Sequence, residues 1–207
     1  LKMSDTIDYF FTPLSPFTYL GHATLMEIAE RNGKQVNFKP FDIMGVWSES
    51  GAVPPGQRPP VRQRYRLIEL QRCSEARGLN INITPAHFPT NPLAADLCIC
   101  ASVISGGDAA ALSLALGKAV WEDELQIADE AVLKDILAAT GHDVDAIFGL
   151  SQSDEAAAMR AANTKEAIEK DAVGAPAYYY NGEVFWGQDR LELMDAMIKS
   201  GRDAYTA

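Results

Sequence analysis

Ser15-Pro16 follows an apolar run, Ile7 to Phe11, and precedes Phe17, Leu20, Thr24, Leu25 and Ile28 at helical spacing, so the pair marks a strand-to-helix junction. Serine is a favoured N-cap and proline a favoured first helical residue, which accounts for the pair on structural grounds alone. The position also suits chemistry. Free N–H groups and partial positive charge at a helix N-terminus favour an anion such as a thiolate. A serine hydroxyl can accept from the backbone while donating its own proton to that thiolate.

Three further groups stand out. In Gly174-Ala175-Pro176 a proline opens a strand after a long helix; it cannot donate to the sheet, and the backbone before it is left to pair with an extended ligand. X-Pro bonds are mostly trans, but this context favours cis for Ala175-Pro176. In Gly187-Gln188-Asp189-Arg190 the acid is either a cap and dipole partner of the last helix or a carboxylate for a ligand ammonium beside a helix end that holds a ligand carboxylate. That second pairing suits an amino-acid zwitterion. Arg58, Arg62, Arg64, Arg66 and Arg72 are five arginines in fifteen residues, either a solvated helix face or bidentate holders of carboxylates.

Other chemistries are excluded by pattern. His22, His87 and His142 are scattered without metal spacing, and there is no GxGxxG, P-loop or GxSxG. Cys73, Cys98 and Cys100 form no CxxC and no disulfide framework; all three read as small buried hydrophobes. The 207 residues carry a net charge of −10, which argues against a nucleic-acid or anionic-membrane partner and for small molecules. No apolar run reaches the roughly 20 residues that span a bilayer. Leu1 and Lys2 stand ahead of Met3, read as an initiator, and no basic-then-apolar leader follows, so a cytoplasmic protein is expected.

The elements that must position these residues follow from periodicity. Ile7–Phe11 and Gln35–Phe41 read as strands around a first helix ending at Asn32-Gly33. Asp42 to Pro60, with Pro54, Pro55, Pro59 and Pro60, reads as an irregular loop. About five helices follow: 62–77, with Tyr65, Ile68 and Leu70 on its apolar face, then 93–105, 109–121, 130–139 and 143–148, with a Pro-punctuated connection over 83–92. A long helix over 153–171 leads to strands 177–180 and 183–186, joined by the hairpin signal Asn181-Gly182. Gly187 and Gln188-Asp189 open a last helix carrying Leu191, Met194, Met197 and Ile198. The fold class is therefore α/β, a small mixed sheet split by a helical insertion, whose halves must meet because neither buries its apolar faces alone.

Tyr9-Phe10-Phe11-Thr12-Pro13-Leu14-Ser15-Pro16-Phe17-Thr18-Tyr19-Leu20-Gly21, together with Gly174-Ala175-Pro176 and Phe185-Trp186-Gly187-Gln188-Asp189-Arg190-Leu191, resembles the 2-hydroxychromene-2-carboxylate isomerases. These are related to the kappa-class glutathione transferases in the DsbA-like branch of the thioredoxin superfamily. The resemblance implies a thioredoxin-like domain over 3–45 and 160–207, an inserted all-helical domain over 46–159, glutathione as cofactor and a homodimer. It also implies roles. Ser15 would hold the glutathione sulfur, Ala175 before Pro176 would pair with its cysteinyl part, and Gln188 and Asp189 would take the γ-glutamyl end, with Asp189 on the ammonium. Arg62 would take the glycyl carboxylate or the substrate acid, and Phe17, Trp47, Phe88 and Trp186 would line the pocket of a small aromatic carboxylate.

The sequence departs from the family at Ala52-Val53, where an asparagine often precedes the Pro-Pro of the loop, and at Ala175, where valine or leucine is more usual. Gln188 stands where kappa transferases have serine. CxxC of the disulfide-exchanging relatives is replaced by Ser15-Pro16-Phe17-Thr18, so no dithiol exchange can run there. The implied activity is interconversion of 2-hydroxychromene-2-carboxylate and trans-o-hydroxybenzylidenepyruvate in naphthalene-type aromatic catabolism. Thiolate addition, bond rotation and elimination would carry it. A kappa-like transferase conjugating electrophiles and a non-enzymatic glutathione-binding module remain as alternatives.

Overall fold

The computed structural model describes residues 3–207; Leu1 and Lys2, read above as preceding an initiator, lie outside the described residues. In chain order the elements are β1 (Thr6–Phe11), α1 (Pro16–Arg31), β2 (Gln35–Pro40), α2 (Ile43–Ser50), α3 (Pro60–Arg77), α4 (Leu93–Ser105), α5 (Ala109–Trp121), α6 (Glu130–Ala139), α7 (Val144–Ser151), α8 (Asp154–Glu169), β3 (Ala177–Tyr180), β4 (Glu183–Trp186) and α9 (Leu191–Ser200). Short 3-10 turns occupy Pro55–Gln57 and Gln188–Arg190.

Ile7, Tyr9, Phe10 and Phe11 are fully buried because β1 lies inside the sheet and is covered on both faces. Alternation along the strand sends Ile7, Tyr9 and Phe11 into a core with Leu25 and Ile28 of α1, Ile99 of α4 and Leu116 of α5. Phe10 points the other way, to Phe41, Val46 of α2 and Ala167 of α8. The four strands run in the order β2-β1-β3-β4. β1 pairs parallel with β2 through Tyr9 opposite Phe38 and antiparallel with β3 through Tyr9 opposite Tyr178. Chain from both ends of the sequence thus completes one sheet, and α3 to α7 lie between the two halves, as expected for a thioredoxin-like fold with a helical insertion.

The hairpin signal is realised as expected: Asn181 and Gly182 have φ of 49° and 94°, the left-handed pair of a type I′ turn between β3 and β4. Three expectations need correction. Residues 43–50 are a helix rather than loop, because Asp42 caps the Met44 N–H at 3.2 Å and Gly51, at φ 78°, closes the other end; the prolines begin only after it. Tyr65 and Ile68 of α3 are exposed and only Leu70 of the predicted apolar face is buried, since α3 rests on α1 by one edge. The last helix begins at Leu191, and Gln188–Arg190 tightens into a 3-10 turn after Gly187 takes φ 97°. Among the described residues no helix is long and apolar enough to cross a membrane.

Gly21 lets α1 approach the turn after β4. A β-carbon there would meet Gln188 Cβ at 2.7 Å and Tyr178 Oη at 2.8 Å, whereas one at Gly149 of α7 would meet nothing within 4 Å. Gly21→Ala is expected to cost ~1–3 kcal/mol by overpacking, and Gly149→Ala to be neutral or stabilising by helix propensity. Thermal unfolding of the two variants checks this, and equal midpoints would contradict the close approach.

Candidate active site

Ser15 caps α1: its Oγ accepts from the Thr18 N–H at 3.3 Å and donates to the Ala175 carbonyl at 3.3 Å. The Ala175-Pro176 peptide is cis, as the sequence context favoured, and Ala175 lies just ahead of the ladder that starts at Ala177. The Pro176 carbonyl accepts from the Gly187 N–H at 2.8 Å, which fixes the turn carrying Gln188 and Asp189 against the same loop. The 12–15 loop and the 174–176 loop, distant in sequence, therefore meet at the N-terminal end of α1, and the 187–190 turn, tied to the second of them, lies against Gly21 in the helix's second turn. The arrangement offers a hydroxyl, helix-end N–H groups and partial positive charge to one anionic atom.

The aromatic residues divide into two groups. A β-carbon at Gly174 would lie 3.0 Å from Trp186 Nε1 and 3.3 Å from Trp47 Nε1, so both indole N–H groups face the glycine before Ala175. Only glycine leaves that space open. Phe88 stacks at a tilt on Trp121, centroids 5.1 Å apart, and Arg66 lies 5.3 Å over the Phe88 ring. Arg58, in the segment before α3, lies 5.6 Å over the Trp47 ring. Phe17, half-buried in the first turn of α1, makes no ring contact with either group among the described residues. Arg62 is exposed on α3 and makes no ion pair among the described residues.

The turn after β4 is organised by Arg77, which the sequence did not single out. Gln188 is buried, and its Oε1 accepts from Arg77 Nε at 2.8 Å while its Nε2 donates to Cys73 Sγ at 3.2 Å. Arg77 also binds the Gln188 carbonyl at 2.8 Å, Thr24 Oγ1 at 3.2 Å and Glu192 Oε1 at 2.6 Å. The Gln188 side chain thus faces inward, toward α3. Asp189 faces out, exposed and paired with Arg190 at 2.5 Å. Cys73 departs from the buried reading: it is half-buried beside this turn, and burial pushes its thiol upward. Cys98 and Cys100 are buried, as expected.

A second buried group supports the Ser15 loop from below. Asp96 on α4 is fully buried; its Oδ2 accepts from Arg160 Nε of α8 at 2.8 Å, and its Oδ1 from Thr12 Oγ1 at 3.5 Å. Thr12 Oγ1 in turn accepts from the Leu14 N–H at 3.4 Å, and the Thr12 carbonyl from the Ser15 N–H at 3.1 Å. An acid inside the apolar run Leu93–Ser105 was the available sequence signal, since a carboxyl among Leu, Ala, Cys and Ile must have a partner. A recess of about 300 Å³ lined by Asp42, Leu93, Leu97, Arg160 and Thr164 opens between α4 and α8, and contains neither Ser15 nor Ala175.

The model of a family described as a DsbA-like thioredoxin domain matches residues 6–199. A 2-hydroxychromene-2-carboxylate isomerase of Sphingobium xenophagum is 26% identical over 95% of this chain and 99% of its own, and one of Pseudomonas putida is 28% identical over 93% of each. The solved structure of a 2-hydroxychromene-2-carboxylate isomerase superposes with a TM-score of 0.79 at 26% identity, covering 94% of this chain and 95% of that one.

Complete burial outweighs the Arg160 pairing at Asp96 and pushes its carboxyl up to about 7. Between about pH 4, where an aspartate titrates in an unfolded chain, and about pH 7 the folded protein holds a proton that the unfolded chain has released. The contribution of Asp96 to stability is therefore full below that window and is lost as pH rises through it. Urea unfolding at several pH values across the window is expected to show the stability difference between wild type and Asp96→Asn shrinking with rising pH; a difference that grows with pH would reverse the assignment.

Proposed function

The chain belongs to the DsbA-like thioredoxin family, and from that premise we propose that it is a glutathione-dependent isomerase interconverting 2-hydroxychromene-2-carboxylate and trans-o-hydroxybenzylidenepyruvate. The observation that carries the reading is the Ser15 hydroxyl at the N-terminus of α1, 3.3 Å from the carbonyl of Ala175. The activity named for the Sphingobium and Pseudomonas relatives supports the reaction class. The site's donor set supports glutathione. A thiolate needs a donor hydroxyl and a positive helix end, a cysteinyl backbone needs a free extended strand edge, and an ammonium needs an exposed carboxylate.

When bound, glutathione would supply a thiolate for conjugate addition to the ring-opened acid, in which the hemiketal C–O bond has broken and its hydroxyl proton has passed to the phenol oxygen; the electron pair would rest on the ketone oxygen as an enolate while the single bond rotates, and would return to re-form the double bond as the thiolate leaves. The residues of the chain do the rest. Ser15 turns its proton from the Ala175 carbonyl toward sulfur and, with the helix end, holds the thiol ionised at neutral pH. Ala175, ahead of Pro176, presents main-chain groups to the cysteinyl part. Asp189 takes the γ-glutamyl ammonium; Gln188, whose amide is held by Arg77, contributes through the main chain of its turn. Trp47 and Trp186, flanking Gly174, and Phe88 form apolar walls for the aromatic acid, with Phe17 at the edge and Arg62 toward the solvent side.

The protein is taken to act in the cytoplasm and as a homodimer, for which the exposed stripe Val61, Tyr65 and Ile68 on α3 is a suitable face. Titration of wild type with glutathione should raise the ultraviolet absorbance of a thiolate. Ser15→Ala should lose most of that signal and about 10²–10³ in kcat, the usual loss for one well-placed donor, while unfolding as wild type does. No thiolate signal in wild type, or a stable glutathione adduct in place of the isomerised acid, would overturn the isomerase reading. Asp189→Asn should weaken glutathione binding several-fold in the same titration; an unchanged Kd would leave Asp189 as a helix-turn acid only.

A further inference from the structure

The cations of this protein are mostly matched to carboxylates. Arg31 pairs with Asp195, Arg77 with Glu192, Arg160 with Asp96, and Arg202 with Glu183, and Lys39 and Lys170 share Asp8 and Glu166. In a chain of net charge −10 acids are abundant. Yet Arg58 and Arg66 have no carboxylate partner among the described residues, and both are half-buried rather than splayed into water. Arg66 lies close enough to Arg58 to feel its positive charge, and Arg58 in turn feels that of Arg62.

What holds them is aromatic. Arg58 lies over Trp47 at 5.6 Å and Arg66 over Phe88 at 5.3 Å. Stacking uses the face of a guanidinium and leaves its planar edge of N–H donors unused. Arg58 spends only Nε, on the Val53 carbonyl at 2.9 Å, and Arg66 makes no hydrogen bond among the described residues. Burial first, and Arg58 second, pull the Arg66 guanidinium down to about 10, so it still carries its charge at neutral pH. Two like charges partly withdrawn from water, with a single carbonyl acceptor between them, are unfavourable, and an anion received there offsets both penalties.

We propose that Arg58 and Arg66 form a two-pronged carboxylate subsite, walled by Trp47 and Phe88, that receives a planar conjugated acid beside Gly174. The donors fit a carboxylate bidentately, the ring walls fit a flat unsaturated body, and Trp47, which stacks on Arg58, also turns its indole N–H to the glycine ahead of Ala175. The subsite rests on the isomerase reading for the identity of its natural acid, and on the arginine geometry alone for its preference for carboxylates. The ring walls assign it to the carboxylate of the aromatic substrate, and the glycyl end of glutathione is the outcome the test separates from it.

Binding of 2-hydroxycinnamate, an unreactive aromatic acid, and of its uncharged amide is measured by tryptophan fluorescence, alongside titrations with glutathione and its glycyl monoethyl ester. Wild type should bind the acid at least about tenfold more tightly than the amide. Arg66→Gln and Arg58→Gln should each lose about tenfold on a carboxylate ligand with the amide unchanged, and Arg66→Lys should recover part of the loss. A loss on the cinnamate alone assigns the subsite to the substrate acid; a loss on glutathione but not on its ester assigns it to the glycyl end. Equal binding of acid and amide by wild type, or unchanged carboxylate binding by both glutamine variants, overturns the subsite. Folding of each variant is checked by its thermal midpoint, and the two positions serve as independent probes. Arg66-dependent carboxylate binding without isomerase turnover would keep the subsite and refute the function.

Discussion

Burial of β1 on both faces is the constraint from which the rest of the architecture follows. A strand with Ile7, Tyr9 and Phe11 on one side and Phe10 on the other needs helices above and below and strands on both edges. β2 supplies one edge from the beginning of the chain, and β3 supplies the other only after the whole helical block has been made. The loop leaving β1 at Thr12 is therefore brought beside the loop entering β3 at Ala175, and Ser15 meets Ala175 across a separation of 160 residues. The site is a consequence of closing the sheet.

Electrostatics follows the same division. Some acids tie elements together, such as Asp195 of α9 to Arg31 and Asn32 at the end of α1, which hold the Asp195 carboxyl down to about 2 against the opposing effect of its burial. Near the site the balance inverts. The indole N–H groups of Trp47 and Trp186 face Gly174, and Arg58 and Arg66, half-buried on Trp47 and Phe88, have no matching acids among the described residues, so positive charge is locally concentrated in a negative molecule.

Local patterns in the sequence carried much of this. Ser15-Pro16 was readable as a helix start, Asn181-Gly182 as a tight hairpin and Pro176 as a strand opener, because each depends on residues adjacent in the chain. Helix α2 was obscured by the four prolines that follow it, although its Asp42 and Gly51 caps were present in the sequence. Arg77 and Gln188 could not have been paired by inspection. Their contact spans 111 residues, and nothing in either neighbourhood demands the other. Asp96 was an overlooked signal of a different kind, a charge where the helical pattern allowed none. Arg66 was visible as one of five arginines, but only tertiary structure separates a guanidinium stacked on Phe88 from one in water, as at Arg62.

Helix α3 links these features mechanically. Its C-terminal end is latched by Arg77 to the main chain and side chain of Gln188, to Thr24 and to Glu192, while Arg66 stands eleven residues earlier, roughly 16 Å along the axis. Leu70, buried against the core, and the stack of Arg66 on Phe88 hold the same rod farther along. The Gln188 turn and the Phe88 ring, which share no contact of their own among the described contacts, are thereby kept at a fixed spacing by one helix.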